Sequence, residues 1–133
     1  MRRLIAQSVV LPASAEDLYA AWMDPATHAA ITGAPVLIGP EPGAPFSAFG
    51  GQISGATLQV VAPRLIVQSW RSVNFHPDDP DSTLIVSFAQ DGENGRIDLI
   101  HIDVSEQDFE GVAEGWEKYY WAAWRRWFGE SKA

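Results

Sequence analysis

The chain contains no cysteine. Disulfides, thiolate catalysis and cysteine-based zinc sites are therefore excluded, while the compartment stays open. Basic residues are scarce too: nine Lys+Arg stand against 17 Asp+Glu, a formal charge of −8. Phosphate backbones are held by basic patches that release counterions, so no nucleic-acid partner is expected. The same charge disfavours anionic membrane surfaces. No segment approaches the roughly 20 apolar residues of a membrane span, so no membrane role is expected. The HExxH, GxSxG, P-loop and Rossmann glycine signatures are all missing, and nothing implies a metal or a cofactor. In the opening "MRRLIAQSVVLP" a basic pair precedes apolar residues, as in a signal peptide. Gln7 and Ser8 interrupt that run and Pro12 closes it, so a first strand over residues 2–11 is the better reading. A soluble, cytoplasmic protein is expected.

What remains is a chain of 133 residues, 47% hydrophobic, enough for one core without staples. A single domain over residues 1–133 follows. After the first strand, Ser14 caps a short amphipathic helix, with Leu18, Ala21 and Trp22 on one face. Asp24-Pro25 starts a second helix, which Gly33 ends. From residue 34 to 104 the pattern changes to short β-type runs. Ile66 and Trp70 share one face of "RLIVQSWRSV"; Leu84, Val86 and Phe88 align in "STLIVSFAQ". "DGENG" then turns the chain into "RIDLIHIDV", with Ile97, Leu99 and His101 on one side.

The last helix, "EQDFEGVAEGWEKYYWAAWRRWFGE", carries four of the six tryptophans. Val112, Trp116, Tyr119, Ala123 and Trp127 form a stripe at spacings of three and four, widened by Tyr120 and Trp124. Trp121 and Phe128 fall off it. They either mark a contact surface, such as a homodimer interface, or pack against the first strand and the short helices. Consecutive strands with short links imply an antiparallel sheet. The long helix is the only element large enough to cover one of its faces. An α+β fold of about six to seven strands curved around a C-terminal helix results.

This order resembles the helix-grip fold of the START-like superfamily, which includes polyketide cyclases. The closer resemblance is to the activator of heat shock protein 90 ATPase homologue 1-like branch. It is carried by "LPASAEDLYAAWMDPATHAAITG", "FSAFGGQISGATLQVVAPRLIVQSWR", "STLIVSFAQDGENGRIDLIHIDV" and "GVAEGWEKYY", in order along nearly the whole chain. Val112 stands where the branch usually has a histidine. The eukaryotic co-chaperones that name the branch use a further N-terminal domain to engage their partner. This sequence shows none, so a chaperone partner is the weaker expectation.

What the resemblance implies is a pocket for a hydrophobic small molecule between sheet and helix. Trp22, Phe49, Leu58, Trp70, Phe88, Leu99, His101, Trp116, Tyr119, Tyr120 and Ala123 are its candidate lining. The simpler account of the same residues is a solid core. His101 should face inward, where an imidazole could bind a ligand oxygen or act as acid or base. The simpler account is a core histidine satisfied by a tyrosine or a backbone group. His28 and His76 are expected in solvent. In "HPDDPD" the carboxylates lack EF-hand spacing and read as a solvated acidic loop. Three functions stay open: a small-molecule-binding module, an interaction module, and a cyclase- or hydratase-like enzyme using His101 and Tyr120.

Overall fold

The computed structural model describes residues 3–130; residue 2 of the expected first strand lies outside them. Strand β1 (Arg3–Leu11) is followed by helix α1 (Ala15–Met23) and helix α2 (Pro25–Thr32). Six strands come next: β2 (Val36–Leu37), β3 (Pro45–Ala48), β4 (Ile53–Val61), β5 (Leu65–Ser72), β6 (Ser82–Asp91) and β7 (Asn94–Val104). The C-terminal helix has three parts. Helix α3 (Phe109–Gly115) runs into a π-helical segment, Trp116–Trp121, and then into α4 (Ala122–Glu130).

Local chemistry sets the helix boundaries. The Ser14 hydroxyl accepts from the Asp17 amide and the Asp24 carboxylate from the Thr27 amide, each satisfying a free first-turn donor. Gly33 ends α2 at φ +83°, a left-handed conformation in which a side chain would be strained.

All seven strands form one antiparallel sheet in the order β1-β7-β6-β5-β4-β3-β2. β7 returns beside β1, pairing Ala6 with Ile100 and Val9 with Ile97. Alternation along β5, β6 and β7 turns Ile66, Trp70, Leu84, Val86, Phe88, Ile97, Leu99 and His101 inward, where they are buried. β4 and β5 approach closely at Gly55: a Cβ there would lie 1.9 Å from the Ser69 carbonyl oxygen. The register slips between Thr57 and Gln59. Thr57 faces inward, its hydroxyl bonded to the Gly39 carbonyl, and Leu58 consequently faces outward, 49% exposed. The expectation that Leu58 points into the interior is corrected.

The C-terminal helix lies on the inner face, and the π turn decides which residues it buries. The Ala122 amide bonds the Glu117 carbonyl, an i→i+5 link that widens the turn by one residue. Beyond it the centre of the stripe shifts: Tyr120, Ala123, Trp124 and Phe128 pack inward, whereas Tyr119 and Trp127 are half exposed. Trp121 is buried and donates its indole N–H to Gln7 Oε1 of β1 at 2.7 Å. Of the two off-stripe aromatics, Trp121 therefore packs against β1, and Phe128 packs against Trp124.

Candidate functional site

The sheet and the helix do not meet along their whole length. At the α3 end they part around a cleft of about 460 Å³. Phe49, Gln52, Ile53, Trp70, Ser72 and Asn74 line it from the sheet side; Asp108, Gly111, Val112, Gly115, Trp116, Tyr119 and Tyr120 line it from the helix side. Two causes keep it open. Gly111 and Gly115, one turn apart, put no side chain into the space, although a Cβ on Gly115 would find ordinary contact at 3.5 Å. On the other side the chain turns through three successive left-handed residues: Phe49 at φ +53°, Gly50 at +67° and Gly51 at +93°. That conformation is free for glycine and rare for a bulky side chain. The Phe49 ring is held there against Tyr119 and Tyr120, with centroids 5.8 and 6.0 Å away.

The structure divides the expected lining. Phe49, Trp70, Trp116, Tyr119 and Tyr120 border the cleft. Trp22, Phe88, Leu99, His101 and Ala123 are buried but do not border it, because they pack in the closed part of the interior. Leu58 is on the outer face. Sequence reasoning missed Gln52, Ile53, Ser72, Asn74, Asp108, Gly111, Val112 and Gly115. Two signals for them were available: Ser72 is the next inward position after Trp70 on β5, and Gly111 and Gly115 lie at i, i+4 on the sheet-facing side of a helix.

His101 sits beside the cleft wall with both ring nitrogens engaged. The Trp116 indole N–H donates to Nδ1 at 3.2 Å. An indole nitrogen can only donate, so Nε2 carries the imidazole proton and gives it to Ser82 Oγ at 2.8 Å. Ser82 in turn donates to the Trp70 carbonyl at 2.6 Å. The satisfied core histidine is what the geometry shows, with Ser82 and Trp116 as partners in place of a tyrosine or backbone group. Burial pushes its pKa down to about 3.

His28, expected in solvent, is completely buried. On α2 it faces the interior together with Ile31. Its Nδ1–H donates to the Trp22 carbonyl at 2.9 Å, and its Nε2 accepts from the Tyr120 hydroxyl at 2.9 Å. Burial lowers its pKa to about 4, against a smaller opposing effect of the Trp22 carbonyl; burial also raises that of Tyr120. Tyr120 is therefore spoken for by His28, away from His101. The pair required for general acid–base work does not converge.

The rim holds one carboxylate, Asp108, whose pKa burial raises against a smaller lowering by the Ser72 hydroxyl. No basic side chain lines the cleft. The acidic loop of residues 76–81 is gathered from the far side by Arg71, which donates to the His76 and Asp79 carbonyls and to the Asp81 carboxylate. Among the described residues no group of three or more metal-ligating side chains comes together, and no helix is long and apolar enough to cross a membrane.

A curved antiparallel sheet gripping one C-terminal helix, with an opening at their seam, defines a helix-grip domain. The chain belongs to the Activator of Hsp90 ATPase homolog 1-like family, whose model matches residues 12–123. It is 24% identical over 116 residues to the human Activator of 90 kDa heat shock protein ATPase homolog 1, covering 87% of this chain and 34% of that protein. It is 37% identical over 67 residues to an uncharacterized protein of Schizosaccharomyces pombe, half of this chain and 20% of that one. The chain thus spans about a third of the human relative and a fifth of the other. Among solved structures, an HSP90 activator from Plasmodium falciparum superposes with a TM-score of 0.80 at 21% identity, covering 90% of this chain and 91% of that one. CalU16 from Micromonospora echinospora gives 0.79 at 23% identity, covering 95% and 74%. At those identities the likeness is one of fold.

Proposed function

We propose that this domain binds a hydrophobic small molecule in the cleft between β5 and the C-terminal helix. One observation carries the reading. The opening of about 460 Å³ is walled by Phe49, Ile53, Trp70, Trp116, Tyr119 and Tyr120, and it is kept open by glycines where the rest of the helix carries large rings. Ligand pockets typically combine that size with a mostly apolar wall and a few polar groups. Naphthalene, followed by quenching of tryptophan fluorescence, is a suitable probe, because Trp70 and Trp116 face the cleft. Micromolar binding is expected, and Gly115→Leu, which places a side chain in the space, should weaken it at least tenfold. Equal binding by both chains would place the naphthalene elsewhere and refute the reading.

A protein-interaction role is the second reading, supported by the human and Plasmodium falciparum relatives whose names describe activation of the 90 kDa heat shock protein. The half-exposed Tyr119 and Trp127 would be the aromatic contacts available to it. Co-sedimentation with that chaperone from the source cell, lost on Trp127→Ala, would favour this role.

A further inference from the structure

One side chain in the interior is left without an account by the packing of the fold. Gln68 on β5 is completely buried, and neither its amide nitrogen nor its amide oxygen has a hydrogen-bond partner among the described residues. The indole N–H groups of Trp22 and Trp124 also lack acceptors. Those two indoles pack against other rings, 5.2 Å apart from each other by centroid, and π faces accept weakly. A primary amide with both ends unmet is a different matter. It forfeits two strong hydrogen-bonding groups to burial, and leucine in its place would cost nothing of the kind.

Its position relates it to the cleft. Gln68, Trp70 and Ser72 are successive inward positions of one strand, and the latter two line the cleft. Gln68 is one step of roughly 7 Å further in, and its strand partners Thr57 and Leu84 are buried as well. The Trp70 ring stands between it and the open space along the strand.

Resting on the reading of the cleft as a ligand site, we propose that Gln68 is its polar floor. The ligand it fits is an uncharged molecule with an apolar body and a terminal donor–acceptor pair, such as a primary amide or a lactam. Displacement of the Trp70 ring admits that end. The Gln68 carbonyl oxygen then accepts from the ligand, and its amide nitrogen donates back. The charge follows from the walls. No lysine, arginine or histidine lines the cleft, Asp108 stands on its rim, and the chain carries −8 overall. A carboxylate ligand would find no countercharge there and would face Asp108.

Three probes of one shape test this: naphthalene, 2-naphthamide and 2-naphthoate, titrated at pH 7 against the full chain, Gln68→Leu and Gln68→Met. Wild type should prefer the amide over the hydrocarbon by about tenfold, the scale of one net hydrogen bond or two, and should bind the carboxylate most weakly. Both variants should lose the amide preference, keep the naphthalene affinity, and melt a few degrees higher than wild type. An amide preference that survives both substitutions overturns the assignment. So do variants that melt below wild type, since the amide would then already have a partner in the fold. Naphthalene binding without any amide preference sinks the Gln68 proposal alone. Failure of naphthalene to bind wild type takes the cleft reading down with it.

Discussion

The two halves of the C-terminal helix meet the same sheet and behave oppositely. From Tyr120 onward Tyr120, Trp121, Trp124 and Phe128 turn rings inward around the small Ala123. Trp22 touches Tyr120, Trp121 and Trp124, and Trp124 touches Phe128, at centroid separations of 5.2 to 6.4 Å. From Asp108 to Tyr119 glycines occupy two of the positions that would otherwise fill the gap, and a cleft results. The polar groups divide in the same way. His28 and Tyr120 satisfy each other in the closed half, whereas unpaired Gln68 lies on the strand that borders the open one. The difference shows that side-chain volume along one helix, together with the left-handed turn at Phe49–Gly51 on the sheet side, decides where this fold opens.

The largest effect expected comes from the two buried histidines. Their folded-state pKa values, about 4 for His28 and about 3 for His101, lie below the ordinary 6.5 because burial disfavours the imidazolium. Below pH 6.5 the unfolded chain takes up protons that the fold refuses. Stability therefore falls as pH drops from 6.5 towards 4, by up to about 1.4 kcal/mol per pH unit for each histidine. His101 continues the loss for about one unit more than His28. Protonation of His101 also sets an N–H against the Trp116 indole N–H, two donors facing one another. Urea midpoints at pH 7, 5.5 and 4.5 should fall steeply; midpoints flat across that range would show that the imidazoles reach solvent. In His28→Gln the slope should drop to roughly half.

Next in size is the contrast between the halves themselves. Trp124→Ala removes a completely buried ring from the closed half and should cost about 3–5 kcal/mol. Tyr119→Ala trims a half-exposed ring at the cleft rim and should change stability by less than about 1 kcal/mol. Equal losses in chemical denaturation would mean that the open half is packed as tightly as the other.

Period-two alternation made the inward faces of β5, β6 and β7 legible, and Ser14, Asp24-Pro25 and Gly33 marked the short helices. The stripe on the last helix was legible through Val112, Trp116, Tyr120, Ala123 and Trp124, and misplaced Tyr119 and Trp127. Beyond Trp116 the π turn advances the phase by one residue, and the 3.6-residue period that assigned Tyr119 and Trp127 to the interior has no term for such an insertion. Leu58 was lost to the same kind of irregularity, a slip of register on β4. The burial of His28 was hidden for another reason. Its partners, the Trp22 carbonyl and the Tyr120 hydroxyl, lie 6 and 92 residues away in sequence, and a histidine among alanines on a short helix resembles a surface residue until the long helix lies against it.

The junction between the halves supplies a finer test. Gln7 on β1 clamps the helix just before the π turn and at its end: its amide nitrogen donates to the Ala113 carbonyl at 3.1 Å, and its oxygen accepts from Trp121 at 2.7 Å. Trp121→Phe keeps most of the ring and removes the donor, so it should cost about 1–2 kcal/mol through the carbonyl left unmet. The smallest effect has the opposite sign. Gly115→Ala adds a methyl group where ordinary contact is available and lowers the entropy of the unfolded chain, which should stabilise the fold by about 0.5–1 kcal/mol. The added volume lies in the cleft, so the same substitution should weaken naphthalene binding measurably while raising the urea midpoint. A chain that gains stability and loses ligand together would show that the open half exists at the expense of packing; a gain in both would place the ligand away from Gly115.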